Sequence, residues 1–154
     1  MLEIGSKIPN IILENEKGEK VDLSSYKGTY IVLYAYPKDN TPGCTTEACS
    51  LRDTHPQIKA KNGVVLGISP DSPSSHQKFI DKYELTFSLL SDPDHSVLEY
   101  LGAWGEKSMY GKTYFGVLRS TFIFDTKGEL IKVYPKVTVA THGQEISDFL
   151  ETLA

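Results

Sequence analysis

The reactive groups that stand out in the sequence are two cysteines, Cys44 and Cys49, which lie five positions apart. A thiolate is a nucleophile and a metal ligand, whereas a buried neutral thiol behaves as a small apolar side chain. A permanent disulfide is uncommon in a reducing compartment. The pair is therefore interpreted either as core filler or as reactive thiols, and the position of Cys44 in the chain favours the second.

Cys44 lies at the start of a predicted helix, directly after a loop over residues 37–43 that follows a buried strand. Active sites of open α/β sheets lie at the carboxyl ends of strands, which is where this loop falls. Free backbone N–H groups and the positive end of the helix dipole favour a thiolate there. Gly43 allows close backbone approach, Pro42 fixes the entry into the helix, and Thr41 brings a hydroxyl near the sulfur. We therefore expect Cys44 to be a nucleophile.

Cys49 falls in the same predicted helix as Cys44. Ideal helix geometry places their Cα atoms about 8.6 Å apart and about 140° apart around the axis. A disulfide needs Cα atoms within roughly 7 Å and converging Cβ vectors. If the two cysteines react with each other, the first turns of the helix must therefore unwind.

Apolar runs of strand length predict the sheet that positions this helix. They cover residues 30–36, 63–69 and 85–90, and a later hairpin covers 117–124 and 129–134. A short N-terminal hairpin is predicted from residues 11–13 and 21–23. The aromatic residues between 104 and 115 are assigned to a glycine-rich loop.

Helices are predicted between these strands. The first has an apolar stripe from Cys44 to Ile58, and Pro56 is expected to kink it or to end it early, because proline removes a backbone donor. Two more are predicted to begin at Ser72-Pro73 and Asp92-Pro93, each an N-cap followed by proline. Gly102 is expected to end the latter, and a last helix is predicted over 144–153.

This order of elements predicts one α/β domain over residues 1–154. Crossover helices imply a parallel centre, and the late hairpin adds antiparallel strands. The expected architecture resembles the thioredoxin fold, with a central mixed β-sheet flanked by helices and an N-terminal β-hairpin.

Composition excludes several classes of partner. The 154 residues carry 16 basic and 20 acidic side chains, a net charge of −4, with no basic tract. Nucleic acid and anionic membranes are therefore not expected as partners. No apolar run approaches the roughly 20 residues that cross a bilayer, and the first residues do not resemble a signal peptide. A cytoplasmic protein is expected.

The residues around Cys44 resemble a known family. The pattern is Pro37-x-x-x-Thr41-x-x-Cys44 followed by Thr45-Thr46-Glu47-Ala48-Cys49, with Arg119-Ser120-Thr121-Phe122 far along the chain. The sequence is identified as a member of the peroxiredoxins, in the bacterioferritin comigratory protein (PrxQ) group of atypical two-cysteine type. The resemblance covers essentially the whole chain.

This resemblance implies a thiol-dependent peroxidase that needs no cofactor or metal. Cys44 would be the peroxidatic cysteine, which attacks a hydroperoxide and becomes a sulfenic acid. Cys49 would resolve it as an intramolecular disulfide, which a thioredoxin-type dithiol would reduce. Thr41 and Arg119 would donate hydrogen bonds to the peroxide, and Pro37 would shield the thiolate. A monomer or weak dimer is expected.

Three further residues are assigned to the surroundings of this site. Glu47 is a candidate partner that orients Arg119, and Pro42 and Gly43 are candidates for the loop that contacts substrate. Arg119 interrupts an apolar predicted strand, and a charged side chain there requires an anionic partner.

Other uses of a cysteine pair fit the spacing less well. Disulfide oxidoreductases use C-x-x-C, whose sulfurs meet without unwinding, and the spacing here is C-x-x-x-x-C. A zinc-binding module would lack the second half of its ligand set. A chaperone or peroxide-sensing relay on the same scaffold stays open, since it would use the same cysteines without multiple turnover.

Overall fold

The computed structural model describes residues 1–153 and contains a seven-stranded mixed sheet and a separate two-stranded hairpin. The strands are β1 (Ile12–Glu14), β2 (Lys20–Asp22), β3 (Tyr30–Ala35), β4 (Gly63–Ser69), β5 (Ser88–Ser91), β6 (Trp104–Met109), β7 (Lys112–Val117), β8 (Ser120–Phe124) and β9 (Leu130–Tyr134). The helices are α1 (Pro42–Ala60), α2 (Pro73–Tyr83), α3 (Ser96–Leu101) and α4 (His142–Glu151).

The large sheet has the strand order β2-β1-β5-β4-β3-β8-β9. Strands β3, β4 and β5 are parallel, and β8 and β9 extend the sheet antiparallel on the β3 side. The N-terminal hairpin of β1 and β2 joins the opposite side through β5. The predicted fold class, a thioredoxin-like mixed sheet with an N-terminal hairpin, is confirmed.

Strand β3 divides the interior into two cores. Ile31 and Leu33 pack on one face with residues of α3, whereas Val32 and Tyr34 pack on the other face with residues of α1, α2 and α4. This alternation follows from the period of two along a strand. Helix α1, which follows β3 in the chain, therefore packs directly against the face of the sheet that carries Val32 and Tyr34.

Helix α1 runs without interruption through Pro56, so the expected early end is wrong. Proline inside a helix costs about 3 kcal/mol in isolation. The apolar stripe outweighs this cost, because Leu51, His55 and Ile58 are all buried on either side of the proline. The helix ends only at Ala60.

Helix α3 begins later than predicted. Asp92-Pro93 forms a turn in which the His95 N–H donates to the Asp92 carbonyl at 3.0 Å, and His95 takes a left-handed φ of 52°. A helix cannot pass through that conformation, so α3 starts at Ser96. The Asp92 carboxylate still caps α3, by accepting the Leu98 N–H at 2.9 Å. Gly102 ends the helix as predicted.

The strand predicted from the third apolar run also starts later than expected. The predicted strand over 85–90 is observed as Ser88–Ser91. The Leu85 N–H instead closes the end of α2 by donating to the Ile80 carbonyl at 3.1 Å.

The assigned glycine-rich loop is in fact the hairpin of β6 and β7. Its two turn residues, Tyr110 and Gly111, both have positive φ, of 52° and 77°, as a type I′ turn requires. Arg119 was expected inside a long strand, but it lies in a two-residue break between β7 and β8. No helix within residues 1–153 is long and apolar enough to cross a membrane.

Candidate active site

The N-terminus of α1 follows the carboxyl end of β3 and holds Cys44 in its first turn. Thr41 is the N-cap, and the Thr45 N–H makes the first helical hydrogen bond, to the Thr41 carbonyl at 2.8 Å. The N–H groups of Gly43 and Cys44 precede that bond, so they have no partner within the helix. The Cys44 side chain is buried, and its thiol is free. A buried sulfur therefore lies beside two unpaired backbone donors.

Arg119 links the sulfur to a buried carboxylate. Its Nη2 donates to Cys44 Sγ at 3.2 Å, and its Nη1 donates to Glu47 Oε1 at 2.5 Å. Gly43 leaves room for the guanidinium, because a Cβ at that position would lie 3.3 Å from Arg119 Nη2. The predicted pairing of Arg119 with Glu47 is present.

Glu47 is buried completely, with 0% exposure, and Oε2 has no hydrogen-bond partner among the described residues. Burial raises the pKa of Glu47 to about 7, and the opposing effect of the Arg119 charge is too small to cancel it. The carboxyl group therefore titrates near neutral pH while it holds Arg119.

The other predicted loop residues lie around this centre. The Thr41 hydroxyl donates to the Lys38 carbonyl at 2.8 Å, so its proton is used within the loop and is not directed at the sulfur. Pro37 is half-buried two residues after the end of β3, and Pro42 is exposed at the first position of α1. The loop thus presents the Thr41 oxygen as a hydrogen-bond acceptor.

Cys49 is half-buried and free on the same unbroken helix as Cys44. The turn that contains it is held by α4. Ser50 Oγ accepts the Gly143 N–H at 2.9 Å, and a Cβ at position 143 would clash with the Ser50 carbonyl. The two cysteines are therefore kept apart by a helix that is packed on a neighbour.

The sequence motifs did not indicate a role for Lys107, which lies on β6. Its Nζ donates to the Val117 carbonyl at 2.8 Å, two residues before Arg119. Burial lowers the pKa of Lys107, and the nearby Arg119 charge acts in the same direction. Lys107 therefore holds the backbone from which the arginine projects.

Asp39 and His76 were also missed, because their contact joins positions 37 residues apart that no local pattern relates. With Asp71 they place one ligand atom each within 4.8 Å of one another, a spacing that could suit a metal ion. All three side chains already have hydrogen-bond partners inside the protein. Their chemistry fits an internal hydrogen-bond network.

Comparison with known proteins places this geometry in a family context. The family model described as AhpC/TSA family matches residues 4–133. Peroxiredoxin Bcp of Bacillus subtilis is 49% identical over 152 residues, covering 99% of this chain and 95% of the relative. Peroxiredoxin Bcp of Escherichia coli is 41% identical over 150 residues, covering 97% and 96%.

Solved structures agree with these relatives. A cysteine-to-serine mutant of Xylella fastidiosa PrxQ has a TM-score of 0.93 at 34% identity and covers 99% of this chain and 98% of its own. The Xanthomonas campestris bacterioferritin comigratory protein, studied for its alkyl peroxide reduction activity, has a TM-score of 0.91 at 33% identity and covers 99% and 98%.

Glu47→Gln should change how stability depends on pH. The folded protein binds the Glu47 proton more tightly than the unfolded chain, so wild-type stability should fall as pH rises from about 4.5 to about 7. The variant lacks this titration. Urea unfolding at pH 4.5 and at pH 8 measures the free energy of unfolding of both proteins. Between these two pH values the wild type should lose up to roughly 3 kcal/mol of stability relative to the variant. Parallel stability profiles would contradict the raised pKa.

Proposed function

Because the chain belongs to the AhpC/TSA family of peroxiredoxins and is a thiol-dependent peroxidase, we propose that it reduces hydroperoxides at Cys44. The observation that carries this assignment is the contact of Arg119 Nη2 with Cys44 Sγ at 3.2 Å in the first turn of α1. A guanidinium and unpaired backbone N–H groups stabilise negative charge that develops near the sulfur. The site is therefore suited to the reaction of Cys44 with a peroxide.

In the proposed first step, the Cys44 thiolate attacks one oxygen of the hydroperoxide. A sulfur–oxygen bond forms as the O–O bond breaks, and the leaving oxygen takes a proton to become water or an alcohol. Arg119 and the free N–H groups of Gly43 and Cys44 stabilise the charge that develops on the oxygens. The Thr41 oxygen accepts the peroxide O–H, because its own proton is donated to the Lys38 carbonyl. Pro37 and Pro42 limit access to the sulfur.

In the proposed second step, Cys49 condenses with the Cys44 sulfenic acid. The Cys49 sulfur displaces hydroxide, which leaves as water, and a disulfide forms. The Cα atoms of an intact helix lie about 8.6 Å apart at this spacing, beyond the roughly 7 Å that a disulfide tolerates. Unwinding of the first turns of α1 is therefore part of the cycle.

A thioredoxin-type dithiol is the proposed reductant for this disulfide. Unwinding would expose the segment around Cys49, and a dithiol could then attack by thiol–disulfide exchange. For the substrate, the alkyl peroxide reduction studied in the Xanthomonas campestris relative supports organic hydroperoxides alongside hydrogen peroxide.

Single-turnover kinetics should distinguish the roles of the two cysteines. Cys44→Ser should abolish rapid reaction with peroxide, because only this thiol touches Arg119. Cys49→Ser should keep the fast first step and accumulate a sulfenic acid that dimedone traps. Stopped-flow reaction under excess peroxide, followed by mass spectrometry, measures both outcomes.

Equal fast rates in the two variants would overturn the assignment of Cys44. Steady-state turnover with thioredoxin and thioredoxin reductase is the companion measurement. Sustained turnover of wild type supports a peroxidase that is recycled by a dithiol, whereas one oxidation without recycling would favour a peroxide-sensing relay.

Arg119→Met should slow the first step by roughly 10² or more, as expected when one preorganised donor to a developing charge is lost. Arg119→Lys should restore only part of the rate, since a lysine ammonium lacks the planar fork that contacts Cys44 and Glu47 at the same time. The rate constant for the reaction of Cys44 with peroxide checks this. A methionine variant at the wild-type rate would make the arginine structural.

A further inference from the structure

A buried carboxyl–imidazole hydrogen bond links the loop that leads to Cys44 to α2. Asp39 belongs to the loop and His76 to α2, and their side chains are 3% and 0% exposed. Asp39 Oδ2 lies 2.7 Å from His76 Nδ1. Neither group takes part in the chemistry proposed for Cys44, so the pair requires its own explanation.

The hydrogen-bond partners determine where the protons lie. His76 Nε2 lies 3.0 Å from the Leu90 carbonyl, which only accepts, so Nε2 carries a proton. The carboxylate of Asp39 accepts from the Tyr36 hydroxyl at 2.5 Å and from the Ser75 hydroxyl at 2.8 Å. Both oxygens of the Asp39 carboxyl group therefore have hydrogen-bond partners, and the contact with His76 Nδ1 belongs to a fully connected network.

A second carboxyl group belongs to the same network. Asp71 lies in the same cluster, with its ligand atom within 4.8 Å of those of Asp39 and His76. Its Oδ2 accepts the Asp39 N–H at 2.9 Å and the Ser69 hydroxyl at 2.6 Å. Asp71 thus holds the backbone of Asp39 while His76 holds its side chain, and a lost hydrogen bond in such a network is costly.

The pair fixes the loop to three other parts of the fold. Through Asp39 the loop is bonded to α2 and to the segment after β4, and through His76 it is connected to β5. Asn40 follows with a left-handed φ of 57°, and its side chain accepts from the Tyr83 hydroxyl at 3.0 Å. An asparagine keeps such a conformation when contacts on both sides hold it. Thr41, the N-cap of α1, comes next.

We propose, on the basis of the peroxidase function assigned to Cys44, that the buried Asp39–His76 pair is a positioning element of the active site. It sets the place of the Thr41 oxygen and of the first turn of α1 relative to Arg119. Loss of either partner leaves a buried polar group without its hydrogen bond, and the loop shifts to satisfy that group. The sulfur then meets peroxide in a poorer geometry.

Kinetics of paired variants test this role. Asp39→Ala and His76→Leu should slow the reaction of Cys44 with hydrogen peroxide roughly 10-fold or more, because small displacements of reacting groups are costly. Asp39→Asn should retain most of the rate, since its amide N–H can donate to His76 Nδ1 while its oxygen still accepts from Tyr36. Alkylation of Cys44 by iodoacetamide, which needs a thiolate but no oriented peroxide, should change much less.

His55→Leu is the matched control. His55 is also a largely buried histidine with a hydrogen bond, to the Thr86 hydroxyl at 2.6 Å, but it lies far along α1 from the loop. Its loss should leave the peroxide rate near that of wild type. An Asp39→Ala variant that reacts at the wild-type rate, or one slowed equally toward peroxide and iodoacetamide, would overturn the positioning role.

Nitrogen-15 NMR of the histidine ring tests the contact itself, separately from activity. The Nδ1 resonance of His76 should differ between the wild type and a folded Asp39→Asn protein, because the partner of Nδ1 changes from a carboxyl oxygen to an amide. An unchanged Nδ1 resonance would contradict the direct contact. Peroxidase activity that survives Cys44→Ser would instead refute the proposed function, with the NMR result unaffected.

Discussion

The structure depends above all on the continuity of α1, the 19-residue helix that carries both cysteines. Its first turn supplies the unpaired backbone donors beside Cys44, and its next turn supplies Glu47. The same continuity holds Cys49 out of reach of Cys44. One element therefore positions the proposed nucleophile and also keeps it from its proposed partner until the helix unwinds.

Buried polar side chains surround this helix end, and several of them are paired with a specific partner. Arg119 projects from a break between strands, so both arms of its guanidinium are free to meet a sulfur and a carboxylate. Asp39 and His76, which are proposed to fix the loop before Thr41, are likewise joined by a buried hydrogen bond. Buried pairs of this kind contribute little net stability, because desolvation offsets the attraction. Their value here is the fixed position of the groups around the sulfur.

Much of this arrangement could be predicted from sequence, because the signals are local. The buried strands, the helix stripe through Cys44 and the proline-capped start of α2 follow from periodicity and capping alone. The family signature relates Cys44 to Arg119, although these positions are 75 residues apart. Glu47 was a candidate to orient Arg119 beside the family signature, and an arginine within an apolar run separately required an anionic partner.

The features that were missed depend on tertiary packing. Pro56 is tolerated because the stripe on both sides of it is buried, which no local rule contains. The hairpin of β6 and β7 turns at Tyr110-Gly111, without the asparagine or aspartate that usually marks a type I′ turn. Asp39 and His76 meet only once the sheet has formed.

Hydrogen exchange on the reduced and the oxidised protein tests most directly whether α1 must unwind during the cycle. Amides of residues 44–50 should be protected in the reduced protein and should exchange faster after stoichiometric peroxide, although a crosslink usually slows exchange. Cys49→Ser treated in the same way should keep most of its protection, since it cannot form the disulfide. Equal or greater protection in the oxidised wild type would contradict this account, because the two cysteines would then have joined without breaking the helix.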